Sequence, residues 1–385
     1  MTIKPKHPAE KLKALGFSGS YHPDDIVFLL KKLHLKPLSN EEKERLIQSG
    51  EKHYSQMISS EKAPSPEHLS LYRQALAKGA ERFARETQQL ANALIAKINE
   101  PVVLVSLVRA GVPLGICLKR AIQEQGRECH HYGISIIRDR GIDKAALEAI
   151  IQTHGASGIV FVDGWTGKGA ISRELNCQIL PDSRFTLSSD NMAPLVTLAD
   201  VAGCAWLAAS GDDWLIPSGI LGSVISGLIS RSILQEDIPV ADALDDCFNP
   251  ANWHGCIAYN HLSDHDLSGE FVDHIDQIRK TLVKQAKASW TEEQRNQQHA
   301  RVMSVIQDIK INRHITNDNR IKTGIAEATR AVLRRVPDCI LLQEAEATDT
   351  VLLRHLAQQT DTPVVVVGDA IAPYHAITII KKLGK

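Results

Sequence analysis

Two aliphatic runs, each passing straight into a small-residue loop and then a helix, constrain this chain more than any other feature. Pro101–Val108 reads PVVLVSLV and runs into Arg109-Ala110-Gly111-Val112-Pro113. Gly158–Val162 reads GIVFV and runs into Asp163-Gly164-Trp165-Thr166-Gly167-Lys168-Gly169. Aliphatic runs without polar alternation belong to strands covered on both faces. Between them, Gly111–Gln125 has helical spacing, Cys129–Ile137 reads as a strand, and Lys144–His154 as a helix ended by Gly155. Strand and helix in alternation predict a parallel, doubly wound α/β sheet, with ligands beyond the carboxyl ends of the strands.

The flanking segments read differently. Residues 1–95 are polar and helical, with starts at Ser39-Asn40-Glu41-Glu42 and Ser65-Pro66-Glu67 and no strand pattern. Gly219–Ile233 reads as a tightly packed helix after Pro217, and 281–300 as a linker helix. The remainder predicts a small α/β/α unit. It has a helix over Lys322–Arg335, a strand over Cys339–Gln343, a helix over Asp349–Gln359, a strand over Pro363–Gly368, and a closing helix over Tyr374–Leu383. The expected division is an extension (1–95), an α/β domain with a hood (96–280), the linker (281–300) and a C-terminal domain (301–385).

A net charge of −1 gives the whole chain no bias toward nucleic acid or membranes, so any such surface must be local. No apolar run is long enough for a membrane span, and the polar start lacks a signal peptide core. The expected location is cytoplasmic. Seven cysteines, widely spread and never spaced C-x-x-C, argue against a disulfide framework or a zinc knuckle.

Each loop suits an anion. At Arg109-Ala110-Gly111 the small residues let backbone approach a ligand, and Arg109 adds a fork of donors. At Asp163–Gly169 the acid suits ribose hydroxyls or a metal, and Thr166, Gly167, Lys168 and Gly169 suit a phosphate. VSLVRAGVPLG resembles the pyrophosphate loop of type I phosphoribosyltransferases, and IVFVDGWTGKGAI resembles their phosphoribosyl-pyrophosphate signature. Gly164 stands where that signature has a second acid. The resemblance implies a phosphoribosyltransferase-like parallel sheet. It implies Mg²⁺ as cofactor, held indirectly through Asp163, and phosphoribosyl pyrophosphate or a related nucleotide as partner. Asp163 and Arg109 would be catalytic. Ala110, Gly111, Gly164, Arg138, Ser223 and Arg231 would add to the binding surface.

The wider chain, including FSGSYHPDDIVFLLKKL and DWLIPSGILGSVISGLISRSI, resembles the StiP family of bacterial tellurite-resistance (Ter) stress operons. That family is described both as phosphoribosyltransferase-like and as a cysteine protease. For a protease the best thiol is Cys256 with His254 beside it; Cys129 next to His130 is second, although neighbours on a strand point apart. IKTGIAEATRAVLRR resembles the signature of the Pelota and kink-turn RNA-binding fold, with Gly324, Glu327 and Arg330 matching and Ala326 in place of the base-reading Asn. With Lys322 these residues imply RNA as a partner. Three readings stand. The first is a phosphoribosyltransferase-like enzyme in a Ter-type stress response. The others are a non-catalytic nucleotide sensor that binds RNA, and a cysteine protease. A second copy of the chain and other Ter-operon proteins are further candidate partners.

Overall fold

The computed structural model describes residues 8–185, 191–234 and 246–382. Helix α1 (Pro8–Leu15), strands β1 (Val27–Phe28) and β2 (Lys31–Lys32), and helices α2 (Asn40–Ser49) and α3 (Pro66–Lys97) come first. Serine caps start the last two: Ser39 accepts from the Glu42 amide at 3.1 Å and Ser65 from the His68 amide at 3.2 Å.

Next come β3 (Val102–Leu107), α4 (Val112–Glu124), β4 (Cys129–Ile134), β5 (Ile136–Ile137), β6 (Gly141–Ile142) and α5 (Lys144–His154). They are followed by β7 (Ile159–Val162), β8 (Trp165–Thr166), α6 (Ala170–Ile179), β9 (Leu195–Asp200) and β10 (Leu207–Ser210). The sheet runs β1-β4-β3-β7-β9-β10 with β8 beside β9, every pairing parallel. The strand order reverses between β3 and β7, which makes their carboxyl ends the switch point where a crevice opens. Alternate residues serve opposite faces. Val102 and Leu104 join the core under α3 and α4, whereas Val103, Val105 and Leu107 join the core under α5. The expected parallel sheet is present. The expected absence of strands before residue 95 is corrected: β1 adds to the sheet edge, pairing with Tyr132 and Gly133 of β4, and β2 pairs with a later strand.

The stretch expected as a helix, Gly219–Ile233, is instead irregular. It holds a single 3₁₀ turn at Ser223–Ile225, with Gly227 and Leu228 both at positive φ. Its glycines and serines favour turns over helix interior. Its last residue bridges back to β11 (Gly255–Cys256), which itself pairs with β2.

After α7 (Ser268–Thr281) and α8 (Glu292–Asn312), the last unit has β12 (Ile321–Thr323), α9 (Ile325–Arg334), β13 (Pro337–Leu342), α10 (Val351–Gln359), β14 (Val364–Val366) and β15 (Ala376–Ile380). Its sheet order is β12-β15-β13-β14. Tyr374–Leu383 was expected as a helix; Ala376–Ile380 is a central strand, paired antiparallel with β12 and β13. Five consecutive buried residues, AITII, fit a strand covered on both faces. Leu383 lies outside the described residues. Val302, Val305, Ile306 and Ile309 of α8 join the same continuous core as α9 and β15, so α8 is packed and does not span solvent. None of the described helices is long and apolar enough to cross a membrane.

Candidate functional site

The two loops meet at the switch point. Gly111 precedes α4 so close to β7 that a Cβ would overlap the Val162 carbonyl oxygen. A Cβ on Gly164 would lie 3.0 Å from the Ala110 carbonyl oxygen. Gly111 is therefore required by one loop packing on the other, and Gly164 leaves little room for a side chain. Arg109 is turned into the protein. It donates to the Ile229 carbonyl at 2.6 Å and to Glu61 at 2.9 Å. Burial opposes a charge on Glu61, but Arg109, Arg334 and the Ser223 amide hold its carboxyl at about 2. Ser223 thus supports the ion pair through its backbone.

In the second loop, the Thr166 hydroxyl donates to Asp200 at 2.6 Å and accepts from the Ala202 amide at 3.0 Å. Lys168 donates to the backbone carbonyls of Asp318 and, at 2.7 Å, Ile321. Gly169 has φ +76° at the start of α6, a conformation that favours glycine. Burial pushes Asp163 up to about 7 and Lys168 down to about 7. Among the described residues Asp163 accepts only from the Gly164 amide, at 2.8 Å. A hard divalent cation needs several anionic oxygens. One carboxyl, half neutral near pH 7 and with Gly164 beside it, does not fit Mg²⁺. Among the described residues, no group of three or more His, Cys, Asp or Glu is placed to hold a metal.

Arg138 and Arg231 flank Tyr54, their guanidiniums 5.4 and 5.2 Å from its ring centre. The residues expected to read RNA face inward, onto the second loop. Gly324, at φ +79°, precedes α9. A Cβ on Gly167 would sit 2.7 Å from the Glu327 carboxylate, which pairs with Lys322 at 3.3 Å. Arg330 lies 4.7 Å over the Trp165 ring. Asp163–Gly169 and the start of α9 thus pack against each other, and residues of both line one cavity of about 1180 Å³.

The thiols expected for a protease are not assembled. Cys256 is fully buried in β11, and burial pushes its thiol up to about 12. His254 bonds Ser135 through Nδ1 at 2.7 Å, so its ring is engaged away from that thiol. Cys129 is likewise pushed up to about 12 by burial. The sequence reading missed Cys204, in the turn after β9. Its sulfur lies 3.2 Å from the Ser172 hydroxyl, and a Cβ on Gly169 would lie 3.2 Å from it. His299 of α8 reaches the same turn, with Nδ1 3.1 Å from the Ala202 carbonyl oxygen. A strand ending in Asp200 at the sheet's carboxyl edge was the available signal.

A family model described as "Tellurite-like stress resistance cysteine protease StiP" matches residues 19–276, and one described as "PELOTA RNA binding domain" matches residues 300–382. A protein named "Cysteine protease StiP", from Acinetobacter baylyi (strain ATCC 33305 / BD413 / ADP1), is 59% identical over 370 residues, covering 96% of each chain. No solved structure matches. The expectation of a phosphoribosyltransferase is overturned by these descriptions. The geometry agrees, since Arg109 is withdrawn from the loop and the second acid is absent. With the match running through both the sheet and the C-terminal unit, the chain belongs to the StiP family.

Proposed function

We propose that the chain is a cysteine-dependent peptidase, and that Cys204 is its thiol. The reading is carried by the near full-length match to a protein named a cysteine protease. Three features favour Cys204 over Cys256. It is half-buried where Cys256 is wholly buried. It sits at the carboxyl edge of the sheet, against the first turn of α6, where helix-end amides favour an anion. His299 of α8 also bonds the Ala202 carbonyl of the same turn. A carbonyl only accepts, so His299 donates to Ala202 from Nδ1, and the neutral ring then carries its free lone pair on Nε2, the atom a general base uses. In this conformation burial and Asp200 raise the Cys204 thiol at least as far as burial raises that of Cys256, and Ser172 is its partner, so the raised thiol alone does not separate the two. Activation therefore requires the sulfur to leave Ser172 for His299.

The C-terminal unit supports RNA association through its family match. The test is hydrolysis of an unfolded protein substrate. Cys204→Ala and His299→Ala are expected to abolish it, and Cys256→Ala to retain it. Hydrolysis that survives Cys204→Ala, or that no thiol reagent inhibits, refutes the assignment.

A further inference from the structure

Strand β14 (Val364–Val366) lies at the end of the C-terminal sheet, beyond β13. The Ile340 amide of β13 donates to the Pro363 carbonyl at 2.8 Å, and the Val367 amide donates to the Leu342 carbonyl at 2.9 Å. Backbone groups alternate in direction along a strand, so the amide and carbonyl of Val364 and of Val366 point away from β13. Among the described residues none bonds them. The side chains are open as well: Val364 is 41% exposed, Val365 40% and Val366 52%. Val364 and Val366 stand on one face of the sheet and Val365 on the other, so the edge is apolar on both faces. Edge strands are commonly blunted by a charged side chain or a bulge. Pro363–Val367 has no charged residue, and the pairing with β13 runs without a break in register. A contiguous apolar edge of this kind marks a contact surface.

The charge around this edge decides what can cover it. Between residues 336 and 375 the chain has six Asp or Glu and a single Lys or Arg, Arg354, which Glu346 holds at 2.7 Å. Asp361 precedes β14 and Asp369 follows it; both are exposed, and Asp369 accepts from the Gln343 amide group at 2.9 Å. Glu344, also exposed, follows β13 at the same end as Asp369. The basic residues of the unit face the other way, with Arg330 over Trp165 and Lys322 buried against Glu327. RNA phosphates would be repelled here. A second copy is disfavoured too. Two β14 strands paired antiparallel about Val365 would set Asp361 of each opposite Asp369 of the other, and like charges opposite one another destabilise a strand pair.

We infer that β14 takes an added strand from an extended, apolar polypeptide segment with basic residues at both ends. The outward amides and carbonyls of Val364 and Val366 supply the pairing, which is independent of the partner's sequence. The three valines select β-branched residues beside them, and Asp361 and Asp369 select a cation beyond each end. The site stands without the peptidase reading.

The experiment is fluorescence anisotropy of a labelled synthetic peptide, KKVTVTVKK, titrated with the full chain at low and high salt. The peptide is expected to bind, and to bind more weakly as salt rises. A copy N-methylated at alternate residues cannot pair along its backbone and should lose binding; equal binding overturns strand addition. A copy with Glu in place of every Lys should bind about tenfold more weakly or worse; equal affinity overturns the basic partner. Val366→Lys, at an exposed position, should weaken binding by about tenfold or more, with an unchanged urea midpoint showing the sheet intact. Asp361→Asn with Asp369→Asn should weaken it and flatten the salt dependence. The inference is overturned if millimolar KKVTVTVKK does not bind, or if the Val366→Lys protein binds it as the parent does. It is equally overturned if Val366→Lys abolishes binding of a single-stranded RNA oligomer, or splits a dimer of the parent seen by sedimentation, because RNA or a second copy would then cover the strand.

Discussion

Asp213 of the sheet unit caps α9 of the C-terminal unit, its carboxylate accepting the Ile325 amide at 2.9 Å. The other oxygen accepts the His375 amide at 2.8 Å. One side chain therefore satisfies a helix start and a loop of the neighbouring unit. Gly324 approaches this carboxylate at 3.1 Å from where a Cβ would sit. The glycine that resembled an RNA-contacting residue is occupied in joining the units.

Asp213→Ala should lower stability by about 1–2 kcal/mol, the cost of a lost cap with buried amides left unpaired. Urea unfolding measures it. An unchanged midpoint would show that the cap does not hold the units together.

Glu61 makes stability depend on acid. Its folded value, about 2, lies below the ordinary 4.5, so the native state binds fewer protons than the unfolded chain. The contribution is fully present above about pH 4.5 and is lost as pH falls toward 2. Glu61→Gln should flatten that acid limb. At neutral pH it should cost roughly 3–5 kcal/mol, because Arg109 is left buried without its partner. Unfolding curves at pH 7, 4.5 and 3 separate the two effects.

Gly111→Ala should destabilise the fold by about 1–3 kcal/mol through overpacking. The added methyl overlaps the Val162 carbonyl, which belongs to a central strand and cannot move aside. Gly126→Ala, where nothing lies within 4 Å of the added carbon, is the control for solvent-exposed turns. Its φ of +75° still carries backbone strain, so the comparison isolates the clash only if Gly111→Ala costs more.

The sequence by itself determined the parallel sheet. Unbroken aliphatic runs such as Val102–Leu107 can only be buried on both faces, and glycine between strand and helix marks the turns. It also placed both loops at the sheet's carboxyl edge, and its resemblance to the StiP family is upheld. It misassigned Gly219–Ile233 and Tyr374–Leu383, where apolar runs fit strand, turn or helix equally and only pairing with Gly255, β12 and β13 decides. Which way a charged side chain points was not legible at all. Arg109, just after a strand, is neutralised by Glu61, distant in sequence, whereas Arg330, within α9, stacks on Trp165 and faces a cavity. The pairing of Asp213 with Ile325 and the packing of Gly203 against α8 likewise depend on residues that only the packed chain brings together. Local pattern fixes which atoms must be buried; charge compensation is a property of the whole assembly, and the tertiary structure alone decides it.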